Sequence, residues 1–341
     1  DLLFELCPGM IHQACKSYQK GIGCGKVVQE ISHKLKPNPY QNPNGILGFK
    51  ADLSKYFDSV PIEFIDDAFD QVERKIGKSK VITVLRKYYH TDLCFDPDGN
   101  LIEHYQSLKQ GCAVASFLAD VMLFHIDFEL YKYSFMNMAS MYTRYSDDIL
   151  YIGSGYEKAM GFLEKELQKM SMKLNPKKVE YLTHDKWFKF LGFMIKDDQI
   201  TLSHNRIKGF QKEIEKRSIK NRHATGKSAL NSINRYLYKG DGTYSWATQV
   251  LPIINVEKDI DTLNEFVMDC IRACQTGKRN IGGLGTVTNR KDCTILRGTG
   301  KNVSANRKNT EKEIEGYYSI RCMQKALNIC RPVYDTIVRE M

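Results

Sequence analysis

The sequence lacks several features that would each point to a particular class of protein. No apolar run reaches the roughly 18 residues that span a bilayer, and charged or imidazole side chains interrupt the longest candidate, residues 115–130. None of the ten cysteines forms a C-x2-C pair, which argues against a zinc ribbon or a zinc-bearing nuclease module. The N-terminus shows no secretory signal. We therefore expect a cytoplasmic protein with reduced thiols and no membrane partner.

Positive charge is present in excess and is unevenly distributed. The 341 residues contain 50 Lys and Arg against 40 Asp and Glu, a net charge of +10. Residues 205–341 hold 25 basic and 14 acidic side chains, whereas residues 1–204 hold 25 and 26. A near-neutral body followed by a basic part is typical of a protein that binds a polyanion such as nucleic acid. The alternative is that the basic segments are ordinary solvent-exposed surface without a binding role.

Apolar periodicity and turn residues predict a mixture of helices and strands. Residues 97–100 predict a hairpin turn, and the region beyond residue 204 is helical and basic. In residues 1–36 we predict two helices separated by a turn at 20–25. The other predicted strands are 46–53, 141–145, 149–152 and 179–182, the predicted helices are 62–76, 80–89, 115–135 and 156–172, and a hairpin is predicted over 188–202.

An Asp-Asp pair occurs three times, and its surroundings separate the three cases. Residues 66–67 lie in an amphipathic helix, and residues 197–198 lie in a hairpin turn where Asp favours local backbone bonds. Asp147 and Asp148 are flanked by aromatic and β-branched strands. Adjacent carboxylates at the end of buried strands repel each other and lose hydration, a cost that a cation offsets. For this third pair we predict a metal site rather than a structural turn.

A further carboxylate, Asp52, follows another apolar strand. Three carboxylates on neighbouring strands would complete a site for two divalent ions about 3.5 to 4 Å apart. Ligands that are all oxygen atoms suit Mg²⁺, with Mn²⁺ as a possible substitute.

Five blocks, in order and spacing, resemble the successive blocks of reverse transcriptases. They are Asp52 with Phe57, Gln110-Gly111, Tyr145-Ser146-Asp147-Asp148, Asn175-Pro176-Lys177-Lys178, and Phe190-Leu191-Gly192-Phe193. Residues 17–23 also resemble a block of bacterial retroelement enzymes, which include group II intron, retron, diversity-generating and defence-associated types. The resemblance covers roughly residues 1–204. It implies an α+β fold of the right-hand polymerase type, with fingers and a palm built on an antiparallel sheet, followed by a helical, basic thumb.

The resemblance also implies roles for individual residues. Asp52, Asp147, Asp148 and Lys178 would be catalytic, with Lys178 protonating the departing pyrophosphate. The ligands of the two ions would be Asp52, the Leu53 carbonyl, Asp147 and Asp148. The nucleotide site would be formed by Ser54, Lys55, Tyr56, Phe57, Gln110 and Gly111, and the Phe57 ring would exclude a 2′-hydroxyl. The primer grip would consist of Phe190, Leu191, Gly192 and Phe193.

The basic part suits a thumb that holds nucleic acid. The predicted contacts are Arg206, Lys208, Lys212, Lys216, Arg217, Lys220 and Arg222. We predict part of the fingers at 1–45, the palm with inserted fingers helices at 46–204, and the thumb with an RNA-binding extension at 205–341. We expect the N-terminal fingers segments to precede residue 1.

The expected function is synthesis of cDNA on an RNA template by two-metal nucleotidyl transfer. The expected partners are a dedicated non-coding RNA, a DNA product or RNA–DNA duplex, and dNTPs, in a standalone bacterial retroelement or antiviral defence system. Lys109 and Asp120 replace the Pro and Asn usual in the family, which leaves the subtype open. Template-independent or protein-primed DNA synthesis, and RNA binding or splicing without catalysis, are the alternatives. The oligomeric state stays open.

Overall fold

A computed structural model gives the fold in two compact units, Asp1–Phe188 and Lys189–Met341. The structure describes residues 2–36, 45–91, 93–95, 98–103, 107–109, 111–135, 140–221, 225–238, 245–276, 316–329 and 338. The domain boundaries expected at 45/46 and 204/205 remain predictions.

The first unit is built on a four-stranded antiparallel sheet. Its strands are β1 (Ile46–Asp52), β4 (Met141–Tyr145), β5 (Asp148–Ile152) and β6 (Glu180–Thr183), in the order β4-β5-β1-β6. A side chain at Gly48 could not be accommodated, because its Cβ would lie 2.0 Å from the Tyr151 carbonyl oxygen on the neighbouring strand. The antiparallel register, from Gly48 opposite Ile152 to Asp52 opposite Asp148, places the ends of β1 and β5 side by side.

Helices pack around the sheet and bury one continuous apolar core that includes Phe49, Phe69 and Phe117. A small hairpin joins β2 (Leu93–Phe95) to β3 (Leu101–Glu103), as the turn residues predicted. The helices are α1 (Leu2–Leu6), α2 (Cys24–Lys34), α3 (Tyr56–Ser59), α4 (Ile62–Ile76), α5 (Lys80–Tyr89), α6 (Ala115–Met122), α7 (Phe124–Phe135) and α8 (Tyr156–Lys169). The predicted bounds of α4 and α5 are confirmed.

Three predicted helices are wrong in their extent, and one of them, expected over 156–172, ends at Lys169. The helix expected over 115–135 is interrupted at Leu123. An unbroken helix would separate Asp120 from Asp127 by about 10 Å along its axis, whereas both carboxylates contact one guanidinium, that of Arg144. In residues 1–20 only α1 is helical; turns and an extended segment follow, and Cys15 forms a parallel bridge to Arg144 at the edge of β4.

The second unit opens with three short strands, β7 (Phe188–Phe190), β8 (Phe193–Lys196) and β9 (Gln199–Leu202), in sequential order. Its helices are α9 (His204–Arg217), α10 (Gly226–Leu237), α11 (Trp246–Val250), α12 (Glu257–Thr276) and α13 (Ile320–Ile329). Within the described ranges, no helix combines the length and apolarity needed to cross a membrane. The mixed helices and antiparallel sheet of the chain confirm the predicted α+β fold of the right-hand polymerase type.

Candidate active site

Three carboxylates meet at one end of the four-stranded sheet. Asp52, the last residue of β1, lies directly opposite Asp148, the first residue of β5. Asp147 occupies the two-residue turn between β4 and β5, and its carbonyl accepts a hydrogen bond from the Leu53 N–H at 3.1 Å. Ser146 has a φ of 57°, which a tight turn of this kind requires. The sheet register therefore brings together the three carboxylates that the sequence predicted as catalytic.

The site favours a bound cation. Asp52 is only 4% exposed, and both partners in the Asp-Asp pair are half-buried. Burial raises the pKa of Asp147, and the negative charge of Asp52 raises it further. Burial, together with the charges of Asp147 and Asp52, raises the pKa of Asp148 to about 6. The ionised site is thus electrostatically unfavourable unless positive charge is added.

Lys178 supplies positive charge at this point. The residue ends a 3₁₀ turn, Pro176–Lys178, whose start is fixed by a hydrogen bond from the Asn175 N–H to the Asp52 carbonyl at 2.8 Å. The Lys178 ammonium donates to both carboxylate oxygens of Asp52, at 2.8 and 2.5 Å. This hydrogen bond raises the pKa of Lys178. Lys178 therefore lies beside the carboxylates, as its predicted role requires, and that role remains a prediction.

The residues suit magnesium chemically, although they do not form a ready-made cage. Within the described part of the chain, no group of three or more His, Cys, Asp or Glu side chains is arranged to hold a metal ion. The donors are carboxylate oxygens, with the Leu53 carbonyl directly after Asp52, and this donor type suits Mg²⁺. Because the Lys178 ammonium covers Asp52, an ion that binds Asp52 must displace it.

The predicted nucleotide-binding residues follow Asp52 through a tight bend. The Ser54 N–H donates to the Lys173 carbonyl at 2.9 Å, and Lys55 adopts a left-handed conformation with a φ of 48°. Tyr56 is buried, and its hydroxyl donates to the Ala119 carbonyl at 2.5 Å. The Tyr56 side chain is therefore part of the core, and only its backbone remains available to a nucleotide.

The aromatic ring expected beneath the incoming sugar is partly accessible. Phe57 is half-buried, packs edge-to-face on Tyr56 with ring centroids 5.7 Å apart, and accepts a hydrogen bond at its carbonyl from Ser107. Gly111 is exposed and has a φ of 85°. Gln110 lies outside the described residues. The roles of these three residues remain predictions.

The predicted primer grip lies in the second unit. Phe190 and Phe193 are each 1% exposed, and the residues between them, Leu191 and Gly192, have φ values of 47° and 81°. The Arg206 guanidinium lies 4.3 Å from the centroid of the Phe193 ring. It also occupies the space beside Gly192, where an added Cβ would come within 2.5 Å of its Nε. Arg206, predicted to contact nucleic acid, thus packs on this hairpin.

The remaining basic residues of the predicted thumb differ in how they are engaged. Arg217 pairs with Glu213 at 2.7 Å and stacks on Tyr236, and Lys220 pairs with Glu215 at 2.6 Å. Arg222 lies outside the described residues. Three exposed lysines lie four residues apart and therefore share one face of α9. We call this set the lysine stripe: Lys208, Lys212 and Lys216.

One charged side chain beside the carboxylates was missed by the sequence analysis. Arg144 lies in β4, two residues before Ser146, the first residue of the β4–β5 turn, and is fully buried. The signal was present in the sequence, because Arg144 interrupts a strand of otherwise apolar, aromatic and hydroxyl side chains.

Comparison with known families agrees with this geometry. A family model described as "Reverse transcriptase (RNA-dependent DNA polymerase)" matches residues 12–195, more than half of the chain. The chain belongs to this family. The description of the family agrees with the predicted enzyme class, a nucleotidyltransferase of the RNA-directed DNA polymerase type. The matched segment of the chain includes all three carboxylates and Lys178.

Solved structures of yeast telomerases show a distant likeness. Apo telomerase from Candida tropicalis has a TM-score of 0.46 at 13% identity, covering 80% of this chain and 47% of that one. Telomerase from Candida tropicalis in complex with a TWJ fragment of telomeric RNA has a TM-score of 0.48 at 14% identity. The match covers 77% of this chain and 44% of that one. The telomerase complex from Candida albicans has a TM-score of 0.43 at 11% identity, and the match covers 75% of this chain and 49% of that one.

The chain spans about half the length of those telomerase chains. At these scores the likeness carries no conclusion about activity. No curated protein sequence gives a significant match.

Proposed function

We propose that the chain synthesises DNA on an RNA template by two-metal nucleotidyl transfer. The observation that carries this proposal is the register that sets Asp52 opposite Asp148, with Asp147 in the adjoining turn. Three partly desolvated carboxylates on adjacent strands are a donor set for two divalent ions. Membership of the reverse transcriptase family supports RNA as template and DNA as product.

Each residue then has a defined task. Asp52 and Asp147 would hold both ions, Asp148 would assist, and the Leu53 carbonyl would complete the ligands. The chemistry that bound ions supply is activation of the primer 3′-hydroxyl and stabilisation of charge on the transferred phosphate. The Lys178 ammonium, which now donates to Asp52, would move to the leaving pyrophosphate and protonate it. Phe57 would pack beneath the sugar and favour dNTPs.

The second unit would hold the template and the product duplex. The lysine stripe presents three ammonium groups on one exposed helical face, an arrangement suited to successive backbone phosphates. The hairpin around Leu191 and Gly192 would position the primer. Arg206 supports this hairpin through its contact with Phe193.

For the biological setting we propose a bacterial retroelement or antiviral defence system with its own structured RNA as template. Support comes from residues 17–23, which resemble the corresponding block of bacterial retroelement enzymes. Sequencing the RNA that copurifies with the protein tests this setting. One recurrent structured RNA is expected, whereas a random sample of cellular RNA would contradict it.

The activity is tested by primer extension with Mg²⁺ and dNTPs on an RNA of defined sequence. We expect a DNA product complementary to the template and dependent on it. In the variant Asp147→Asn/Asp148→Asn the rate should fall about 10³-fold or more, because the ion ligands are lost. Equal incorporation without template would instead select template-independent synthesis.

A matched control uses the same substitutions at the other Asp-Asp hairpin, Asp197→Asn/Asp198→Asn. That turn joins β8 to β9, and Asn tolerates the left-handed φ of 52° at residue 197. The control should retain the wild-type rate within about twofold, as surface substitutions usually do. No incorporation by the intact protein with its copurified RNA would refute the enzymatic proposal and leave RNA binding without catalysis.

A further inference from the structure

A buried charge network lies behind the catalytic turn. Arg144 is 0% exposed, and its guanidinium bonds two carboxylates that are also fully buried. Nε and Nη2 donate to Asp127 at 2.8 and 2.7 Å, and Nη1 donates to Asp120 at 3.0 Å. The two acids belong to α7 and α6, which the break at Leu123 separates. One side chain of β4 thereby ties two helices to the sheet.

The same guanidinium also reaches the turn that carries the catalytic pair. Nη1 donates to the Ser146 carbonyl at 3.0 Å. Ser146 is the turn residue with the left-handed φ of 57°, and the next residue is Asp147. Its peptide link to Asp147 is therefore fixed by a charged donor that is itself held by two carboxylates. A charge-assisted hydrogen bond of this kind is stronger and better oriented than a neutral one.

The N-terminal segment closes the network on its remaining side. The Ser17 hydroxyl donates to the Asp120 carboxylate at 2.9 and 3.0 Å. The backbone of residue 144 accepts a hydrogen bond from the Lys16 N–H and donates one to the Ala14 carbonyl. Both the main chain and the side chain of Arg144 are thus held from outside the hairpin. A buried network whose members are all hydrogen-bonded is rigid, because each partner limits the rotamers of the next.

The network contains more acidic than basic side chains. Two carboxylates face one guanidinium, and burial raises the pKa of Asp120. The Tyr142 hydroxyl, also buried, donates to Asp127 at 2.8 Å. A displaced Arg144 would leave both buried carboxylates without a charged partner, with only the Ser17 and Tyr142 hydroxyls still hydrogen-bonded to them.

We propose that Arg144 is a positioning residue for polymerisation, which holds the Ser146–Asp147 peptide and so aims the Asp147 carboxylate. This inference rests on the proposed function. Lysine cannot replace arginine in this role, because one ammonium lacks the planar fork that bonds Asp127, Asp120 and the Ser146 carbonyl at the same time. A purely structural role would instead link activity only to the amount of folded protein.

The test compares Arg144→Lys with Tyr142→Phe, two changes within one buried network. Tyr142→Phe removes a hydrogen bond to Asp127 but leaves the contact between Arg144 and Ser146 intact. For each folded variant, kcat, the KM for dNTP, the affinity for a primer–template duplex and the thermal midpoint are measured. Arg144→Lys should lower kcat about tenfold to a hundredfold, because displacing a reacting group by about 1 Å costs that much. Its KM and duplex affinity should stay within about twofold of wild type.

Tyr142→Phe should lower the thermal midpoint and keep kcat within about twofold of wild type. Asp127→Asn is the second variant, and is used if Arg144→Lys does not fold. It loosens the fork at Nε and Nη2 while Asp120 still balances the charge, so its kcat should fall between the values of the other two.

The outcomes separate the two levels of the proposal. A wild-type protein that polymerises, with a folded Arg144→Lys or Asp127→Asn at wild-type kcat, would overturn the positioning role alone. Losses of kcat that follow the thermal midpoint equally in all variants would also overturn it. A wild-type protein that incorporates no nucleotide would overturn the proposed function and the positioning role with it.

Discussion

Two hairpins of this molecule carry an Asp-Asp pair at a two-residue turn and differ in what surrounds the pair. Tyr145 pairs with Asp148 across the β4–β5 turn, and Lys196 pairs with Gln199 across the β8–β9 turn. Each turn contains two residues, and the first has a left-handed φ, 57° at Ser146 and 52° at residue 197. The dipeptide is placed differently in the two turns: Asp147 is the second turn residue and Asp148 begins β5, whereas residues 197 and 198 are both turn residues.

The difference lies in β1, the strand that pairs with the first hairpin. β5 also pairs with β1, and this register sets Asp52 opposite Asp148. At the other hairpin the Asn255 side chain donates to the Asp198 carbonyl and accepts from the Ile200 N–H. The first hairpin gathers negative charge, whereas Asn255 holds the backbone of the second. An Asp-Asp turn becomes a candidate metal site only when a neighbouring strand adds another carboxylate.

The first unit gathers negative charge at the carboxylates, whereas the second presents positive charge on the lysine stripe. Removing the charge of the stripe should have a large effect on RNA binding. Replacing Lys208, Lys212 and Lys216 together by Gln should weaken RNA binding about tenfold or more and reduce the salt slope of binding by about 2 to 3. The reason is the loss of three exposed phosphate contacts. Fluorescence anisotropy across a salt series measures both quantities.

The matched control removes the same charge from the first unit, at the exposed residues Lys75, Lys78 and Lys80. It should leave the salt slope nearly unchanged. Equal losses in the two triple variants would show that net charge, and not the stripe on α9, governs binding. The variant Asp147→Asn/Asp148→Asn should bind RNA at least as tightly as wild type, since it removes negative charge.

The two hairpins should also differ, by a smaller effect, in how their aspartates change folding stability in the absence of divalent ions. The pKa of Asp148, about 6, lies above its unfolded value, so the folded state binds the proton more tightly. Stability should therefore decrease as pH rises from about 4 through about 6. Asp148→Asn lacks this loss and should be about 1 to 2 kcal/mol more stable than wild type at pH 7.5, after allowance for partial exposure.

Urea unfolding in EDTA at pH 4.5 and pH 7.5 measures this effect. Asp198→Asn is the control, because its side chain is exposed at the tip of the second hairpin, and it should change stability by less than about 0.5 kcal/mol. An Asp148→Asn variant that is no more stable than wild type at pH 7.5 would contradict the electrostatic account of the site.

The clustering of the three carboxylates could be predicted from the sequence because strand patterns and turn residues are local signals. Asp52, Asp147 and Asp148 each stand at the end of an apolar strand, so the prediction needed only that those strands be neighbours. The break at Leu123 was not predicted, since apolar residues continue at helical spacing across it. The acids on either side of the break, Asp120 and Asp127, both contact Arg144, a long-range interaction that periodicity does not record.

Side-chain direction was likewise beyond the sequence. Tyr56 follows Asp52 closely and was assigned to the nucleotide site together with its neighbours, yet it is 2% exposed and bonds α6. Lys220 and Arg217 were predicted to contact nucleic acid together with Lys208, Lys212 and Lys216, and each is paired with a glutamate. Only the packing of helices decides which face a side chain occupies.

The measurement that tests the central claim most directly is templated incorporation by Asp52→Asn beside Asp198→Asn. Asp52 comes from the strand that distinguishes the two hairpins, and it keeps its shape in the amide variant. Asp52→Asn should lower kcat about 10³-fold with the fold intact, and Asp198→Asn should remain within about twofold of wild type. A folded Asp52→Asn protein that extends primers at the wild-type rate would contradict the account.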